Sequence, residues 1–179
     1  MKRNPLPVLA VAAALSALFA TPAAAVTTQF STSLSSLGEP FPTSTATGSA
    51  LVTLDDVLKS VAVNVSFAGL AAAANNGHIH CCTAAAGLGS VAVALGFTGF
   101  PASQTDSYNN SFTLSAASFA TLQAGIVAGK AYVNVHSVGL YSGGEIRGFL
   151  APVPEPTSYA LMLAGLCLVG VAARRGAKG

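Results

Sequence analysis

Residues Ser60–Phe67 read SVAVNVSF, and this stretch decides the fold. Val61, Val63, Val65 and Phe67 fall on one side of an extended chain, and Ala62, Asn64 and Ser66 on the other. Strict alternation of this kind marks a half-buried β-strand, since successive side chains leave opposite faces of a sheet. Immediately upstream, Gly48–Leu54 (GSALVTL) predicts a second strand, and Asp55 and Asp56 begin the turn between the two. Six further segments carry the same signal, namely Gln29–Ser35, Gly77–Cys81, Ser90–Leu95, Asn110–Leu114, Ala131–His136 and Gly144–Leu150. One helix interrupts them. Ser115 is a predicted N-cap before AASFATLQAGIVAG, in which Phe119, Leu122 and Ile126 recur three and four apart. Many short strands with Gly-rich connections and one small helix predict an all-β fold, an antiparallel sandwich or partly closed barrel.

The ends of the 179-residue chain are of a different kind. MKRN, then an apolar run to Ala20, then TPAAA with Ala23 and Ala25, has the charge, apolar core and small-residue ending of a secretory signal peptide. Cleavage is expected after Ala25, so residues 1–25 form the signal and its helix. At the other end, residues 157–173 hold no charge and are followed by Arg174, Arg175 and Lys178. An apolar run closed by cations at the terminus predicts a transmembrane helix whose basic end stays in the cytoplasm. The body between the signals, residues 26–152, carries Lys59, Lys130 and Arg147 against Glu39, Asp55, Asp56, Asp106 and Glu145, three cations against five acids and so a net charge of −2. The chain as a whole is +2, so its basic balance belongs to the ends. No basic patch remains for nucleic acid. The body has the size of one domain around one core.

Val153, Pro154, Glu155 and Pro156, then one apolar helix, then Arg174 and Arg175, resemble the PEP-CTERM sorting signal of exopolysaccharide-producing Gram-negative bacteria. The resemblance covers residues 153–179. It implies secretion machinery and an exosortase-type transpeptidase as partners, and residence in the inner membrane until processing near the Pro-Glu-Pro motif. Cell surface or extracellular matrix would follow.

Three histidines are the chemical feature of the body. His78 and His80 flank Ile79 and share one strand face; His136 shares a face with Asn134 and Tyr132, opposite Val133 and Val135. If Ile79 and the valines enter the core, all three imidazoles emerge on the same side. On neighbouring strands they would converge as ligands for copper or zinc. The competing expectation is structural, with rings hydrogen-bonded across strands and Glu145 and Arg147 as partners; it is the one favoured here. Glu145 and Arg147, two residues apart, are themselves expected to form a local ion pair. Cys81 and Cys82 leave three options open: a vicinal disulfide, intermolecular bridges, or thiols assisting a soft metal. Their Cα atoms, about 3.8 Å apart across a trans peptide, fall below the usual range for a bridge. Cys167, in the tail helix, is expected to be inert. No catalytic constellation is found: phosphate loops, GxSxG and HExxH are all missing from the sequence.

Taken together, GEP at Gly38–Pro40, FAGL at Phe67–Leu70, HIH at His78–His80, FTL at Phe112–Leu114, YVNVH at Tyr132–His136 and GGEIRG at Gly143–Gly148 resemble the CHRD domain. That resemblance implies an immunoglobulin-like or superoxide-dismutase-like β-sandwich without enzymatic activity. Gly144, Glu145 and Arg147 would belong to its structural motif. Cys81 and Cys82 depart from the Gly-rich loop usual after HIH. The expectation is therefore an exported, non-enzymatic surface or exopolysaccharide-matrix protein that binds polysaccharide or another protein. The rival is a copper- or zinc-binding or redox protein using His78, His80 and His136.

Overall fold

The structure, a computed structural model, describes residues 27–39, 43–82, 93–154 and 156–176. The signal-peptide expectation, Glu155 and Lys178 lie outside them. The strands are β1 (Thr27–Ser35), β2 (Thr47–Asp55), β3 (Ser60–Ala68), β4 (Ala74–Cys81), β5 (Val93–Gly96), β6 (Asp106–Thr113), β7 (Ala131–Ser137), β8 (Ile146–Phe149) and β9 (Ala151–Pro152). They join into one sheet in the order β5-β4-β7-β8-β1-β2-β3-β6, with β9 added to β1. Every pairing is antiparallel. The expected antiparallel all-β fold is the fold found, with the sheet curled into a half-barrel.

The alternation that predicted the strands is what builds the core. Phe30, Val52 and Val63 are directly opposed across β1, β2 and β3, and all three are buried. Val61, Val65 and Phe67 bury beside them, while Ser66 faces out. The curl brings the path's two ends together. Phe97, just past β5, stacks on Tyr108 of β6 with ring centroids 5.4 Å apart, and Tyr108 Oη donates to the Thr98 carbonyl at 2.9 Å. One continuous cluster of buried side chains results.

Local chemistry sets the turns. Asp55 Oδ1 accepts from the backbone N–H groups of Val57 and Leu58, at 2.9 and 2.8 Å, and Lys59 takes the left-handed conformation (φ 53°) that lets β3 begin. The helix α1 (Ala116–Val127) opens at Ser115, whose side chain accepts from Ser118 N–H at 3.2 Å. As its spacing requires, Phe119, Leu122 and Ile126 are buried.

The helix α2 (Pro156–Gly176) stands where the apolar tail predicts one. Among the described residues, however, no helix is long and apolar enough to cross a membrane. The side chains described continuously on α2 run from Tyr159 to Val169, eleven residues. Those described side chains are exposed, Leu161, Leu166 and Leu168 among them.

Candidate metal centre

Strand register brings the histidines together. On β4 and β7, His78 lies opposite Asn134, His80 opposite Tyr132, and Asn76 opposite His136. Ile79 pairs with Val133 on the reverse face, and both are fully buried. Alternation therefore delivers all three imidazoles to one face of adjacent strands. The His78 ring is 4.5 Å from that of His136 and 5.1 Å from that of His80, both edge-on. One nitrogen from each ring falls within 4.8 Å of the others. A metal 2.0–2.1 Å from each nitrogen in tetrahedral array needs separations of about 3.4 Å. The widest pair would close by up to about 1.4 Å, a rotation of ring torsions.

Among the described residues, two ring nitrogens are buried without a hydrogen-bond partner, His78 Nδ1 and His136 Nε2. The tautomer of His136 follows from its other nitrogen. Nδ1 is 2.8 Å from the Ser142 carbonyl oxygen, which can only accept, so Nδ1 carries the proton and Nε2 presents a lone pair. A backbone carbonyl holding the far nitrogen is the usual support for a metal-ligating imidazole. Burial, then the charges that His136 and His80 would carry, lowers the His78 pKa to about 4. Burial also lowers that of His136, against the Ser142 bond, which raises it. Both rings are thus neutral near neutral pH, the form a metal requires.

The same face carries an ion pair. Arg147, opposite Asn134 on β8, places Nη2 2.5 Å from Glu39 Oε2, and Asn134 Nδ2 donates to Glu39 Oε1 at 2.5 Å. Burial works against the guanidinium charge, but the Glu39 bond and charge outweigh it and hold Arg147 above its ordinary pKa. The guanidinium also lies 4.6 Å from the Tyr132 ring centroid, and Tyr132 stacks on His80 at 4.9 Å. Glu39, Arg147, Tyr132 and His80 form one contiguous chain of contacts. Gly144 (φ 128°) closes over it: a Cβ there would lie 2.7 Å from Asn134 Nδ2 and 2.8 Å from Glu39 Oε1, so only glycine fits.

The expected local ion pair of Glu145 with Arg147 is not what forms. Gly144 breaks the strand, β8 begins only at Ile146, and Glu145 turns away from the histidine face. It is fully buried and accepts from Ser44 Oγ (2.6 Å), Ala71 N–H (2.8 Å) and Ser137 Oγ. Glu39, 108 residues from Arg147 in sequence, takes the guanidinium instead.

Of the options left open for Cys81 and Cys82, the vicinal disulfide is the one found, across a cis peptide with Cα atoms 3.1 Å apart. As a disulfide the pair offers no thiolate to a metal. It packs on α1 at Gly125, where a Cβ would come within 2.1 Å of Cys81 Sγ and 2.5 Å of Cys82 Sγ. Cys167 is free and exposed on α2.

The sorting-motif residues lie apart from this site. Val153 N–H donates to the Gln29 carbonyl at 2.9 Å, Pro154 follows, and Pro156 opens α2. Arg174 is exposed on α2; Arg175 also lies on it, with its side chain outside the described set.

A family profile, the CHRD domain, matches residues 30–150. A second, the PEP-CTERM protein-sorting motif, matches residues 152–176. The motif implies export, membrane anchoring before sorting, and processing by exosortase-type machinery. No curated protein and no solved structure matches the chain.

Proposed function

The chain belongs to the CHRD domain family, and on that footing we propose that it is a non-enzymatic metal-binding protein of the cell surface or exopolysaccharide matrix, holding a copper or zinc ion through His78, His80 and His136. The observation that carries the reading is the pair of buried nitrogens, His78 Nδ1 and His136 Nε2, that lack partners among the described residues and belong to a three-imidazole cluster 4.8 Å across. A buried polar atom without a partner costs about 1–3 kcal/mol, and a shared metal ion satisfies both at once. Binding rather than catalysis is favoured because Glu39, the carboxylate whose charge reaches His136, is already occupied by Arg147 and Asn134. It is not free to act as a base. The ion would come from the medium outside the inner membrane, where exosortase-type sorting delivers the domain.

Calorimetric titration of chelator-treated protein with zinc, and separately with copper, tests this. One ion per chain is expected, with binding lost in both His80→Ala and His136→Ala and an unfolding midpoint that rises with metal in the parent only. Binding that survives in either histidine variant, or no binding in the parent, overturns the assignment.

A further inference from the structure

The domain has two ends, and the sorting tail leaves from one of them. That end gathers the start of β1, the β2–β3 turn, the end of β4 and the start of β7, since Thr27 lies opposite Asp55, Asp55 opposite Ser60, and Cys81 opposite Ala131. β9 runs back along β1, with Pro152 opposite Phe30, and the last bond of the body is Val153 N–H to the Gln29 carbonyl. Three residues later Pro156 opens α2. A three-residue link spans at most about 11 Å. A domain tethered so closely to its anchor cannot stand clear of the bilayer.

The surface at that end is apolar. α1 lies across it, packed on β4, β7 and β9, and holds no charged residue from Ala116 to Val127. Its exposed positions are Ala116, Ala117, Ser118, Ala120, Thr121, Ala124 and Val127, the last 65% exposed. A surface helix normally turns charged or polar residues outward; this one turns mainly alanine. The β2–β3 turn adds Val57 and Leu58, 64% and 66% exposed. It adjoins α1, for the Lys59 carbonyl accepts from Leu114 N–H at 3.0 Å and Lys59 Nζ sits 5.3 Å from the Phe119 ring centroid. Asp55 caps its own turn, as above, and Lys59 Nζ donates to the Asp56 carbonyl. Asp55 and Lys59 are thus folded onto their own turn, while Asp56 and Lys130 are exposed as one charge of each sign.

We propose that this end, α1 with the Val57–Leu58 turn, is a membrane-seating face that rests on the lipid surface while the chain is anchored. The inference rests on the anchoring role of the sorting motif. It adds that the domain is held in one orientation, anchor end down, and commits the face to lipid, not to a protein partner. The contact is apolar and independent of lipid charge, because Lys59 and Lys130 at this end are matched by Asp55 and Asp56.

The chain contains no tryptophan, so a single introduced indole reports cleanly. The full chain, reconstituted in phosphatidylcholine vesicles, would carry Leu58→Trp, Val127→Trp or, as the remote control, Leu140→Trp, an 85% exposed residue beyond β7 at the opposite end. Lipid brominated near the headgroup end of the acyl chain serves as quencher. Leu58→Trp and Val127→Trp should be quenched at least twofold more than Leu140→Trp, with blue-shifted emission and no change when a fifth of the lipid is anionic. Flotation of the parent with the vesicles is read separately. Failure to float removes the anchoring premise; flotation with equal quenching at all three positions overturns the seating face itself. Equal unfolding midpoints of the three variants show that each fold is intact.

Discussion

Replacing Arg147 by methionine removes a charge but keeps most of the side-chain stem, so it isolates the Glu39–Arg147 pair. Both partners are buried, 8% and 2% exposed at the side chain. The substitution strands the Glu39 carboxylate with Asn134 as its one remaining side-chain donor among the described bonds. Removing one member of a buried pair costs about 3–5 kcal/mol, and the stacked Tyr132 contact adds about 0.5–2 kcal/mol. A domain of this size has only about 6–15 kcal/mol in total, so Arg147→Met removes roughly a third to a half of it. Glu39→Gln alone leaves the guanidinium an amide oxygen to bond and should cost less, about 2–3 kcal/mol. The double variant leaves neither an orphaned anion nor an orphaned cation. It should be more stable than Arg147→Met, with a coupling of at least about 2 kcal/mol. Urea denaturation of residues 26–152, followed by circular dichroism with matched slopes, measures all four proteins. If the two single effects add to within about 0.5 kcal/mol, the residues are not acting as a pair and the account of the face beside the histidines is wrong.

Two further outcomes follow from the same geometry. Gly125→Ala should destabilise by about 1–3 kcal/mol despite the better helix propensity of alanine, because its methyl meets both disulfide sulfurs; in a Cys81→Ala, Cys82→Ala background it should turn neutral or stabilising, and an unchanged penalty there would show that the contact is not the cause. The folded His78 pKa, about 4, lies below the ordinary 6.5, so the unfolded chain takes up this proton first and the metal-free domain loses stability as pH falls from 6.5 towards 4, by up to about 2–3 kcal/mol. An NMR titration in which the His78 ring shifts near pH 6.5 would contradict the burial described.

Where alternation was strict, sequence reading reached nearly every strand boundary, because period two in Val61–Phe67 has no other structural meaning. It faltered where pairing, not pattern, creates the strand. In Asp106–Asn109 only Tyr108 is buried among polar neighbours, too little pattern to mark a strand, yet the stretch extends β6 because β3 offers it an edge, Val65 opposite Tyr108 and Phe67 opposite Asp106. At β8 the expected strand starts two residues late because Gly144 turns the chain. The common face of the histidines was legible from His78-Ile79-His80 and from the valines around Asn134. Their convergence was not, since it depends on β4 and β7 being neighbours, a fact of topology. Glu39 was out of reach for the same reason, 108 residues from its partner. A signal existed in retrospect: it is the only charged residue between Val26 and Leu54, and an isolated acid in such a stretch has to find a distant cation if it is buried.

The two motif groups that carry the family likeness divide their labour, and the division is what supports the proposed metal site. In GGEIRG the polar groups are spent on the fold. Gly144 exists because Asn134 and Glu39 crowd it, Glu145 ties Ser44, Ala71 and Ser137 together, and Arg147 neutralises Glu39; of their buried side-chain atoms only Arg147 Nε lacks a partner among the described residues. In HIH and YVNVH the balance is reversed, because His78 and His136 each keep a buried nitrogen with no partner among the described residues. Cross-strand imidazoles placed only for structure would be expected to bond each other or the backbone. His78 and His136 meet edge to ring, and the His136 bond to the Ser142 carbonyl fixes the tautomer that leaves a lone pair on its buried Nε2. The fold satisfies a fully buried carboxylate three times over yet, among the described residues, gives these two imidazole nitrogens no partner, and the metal ion proposed above would supply one to both.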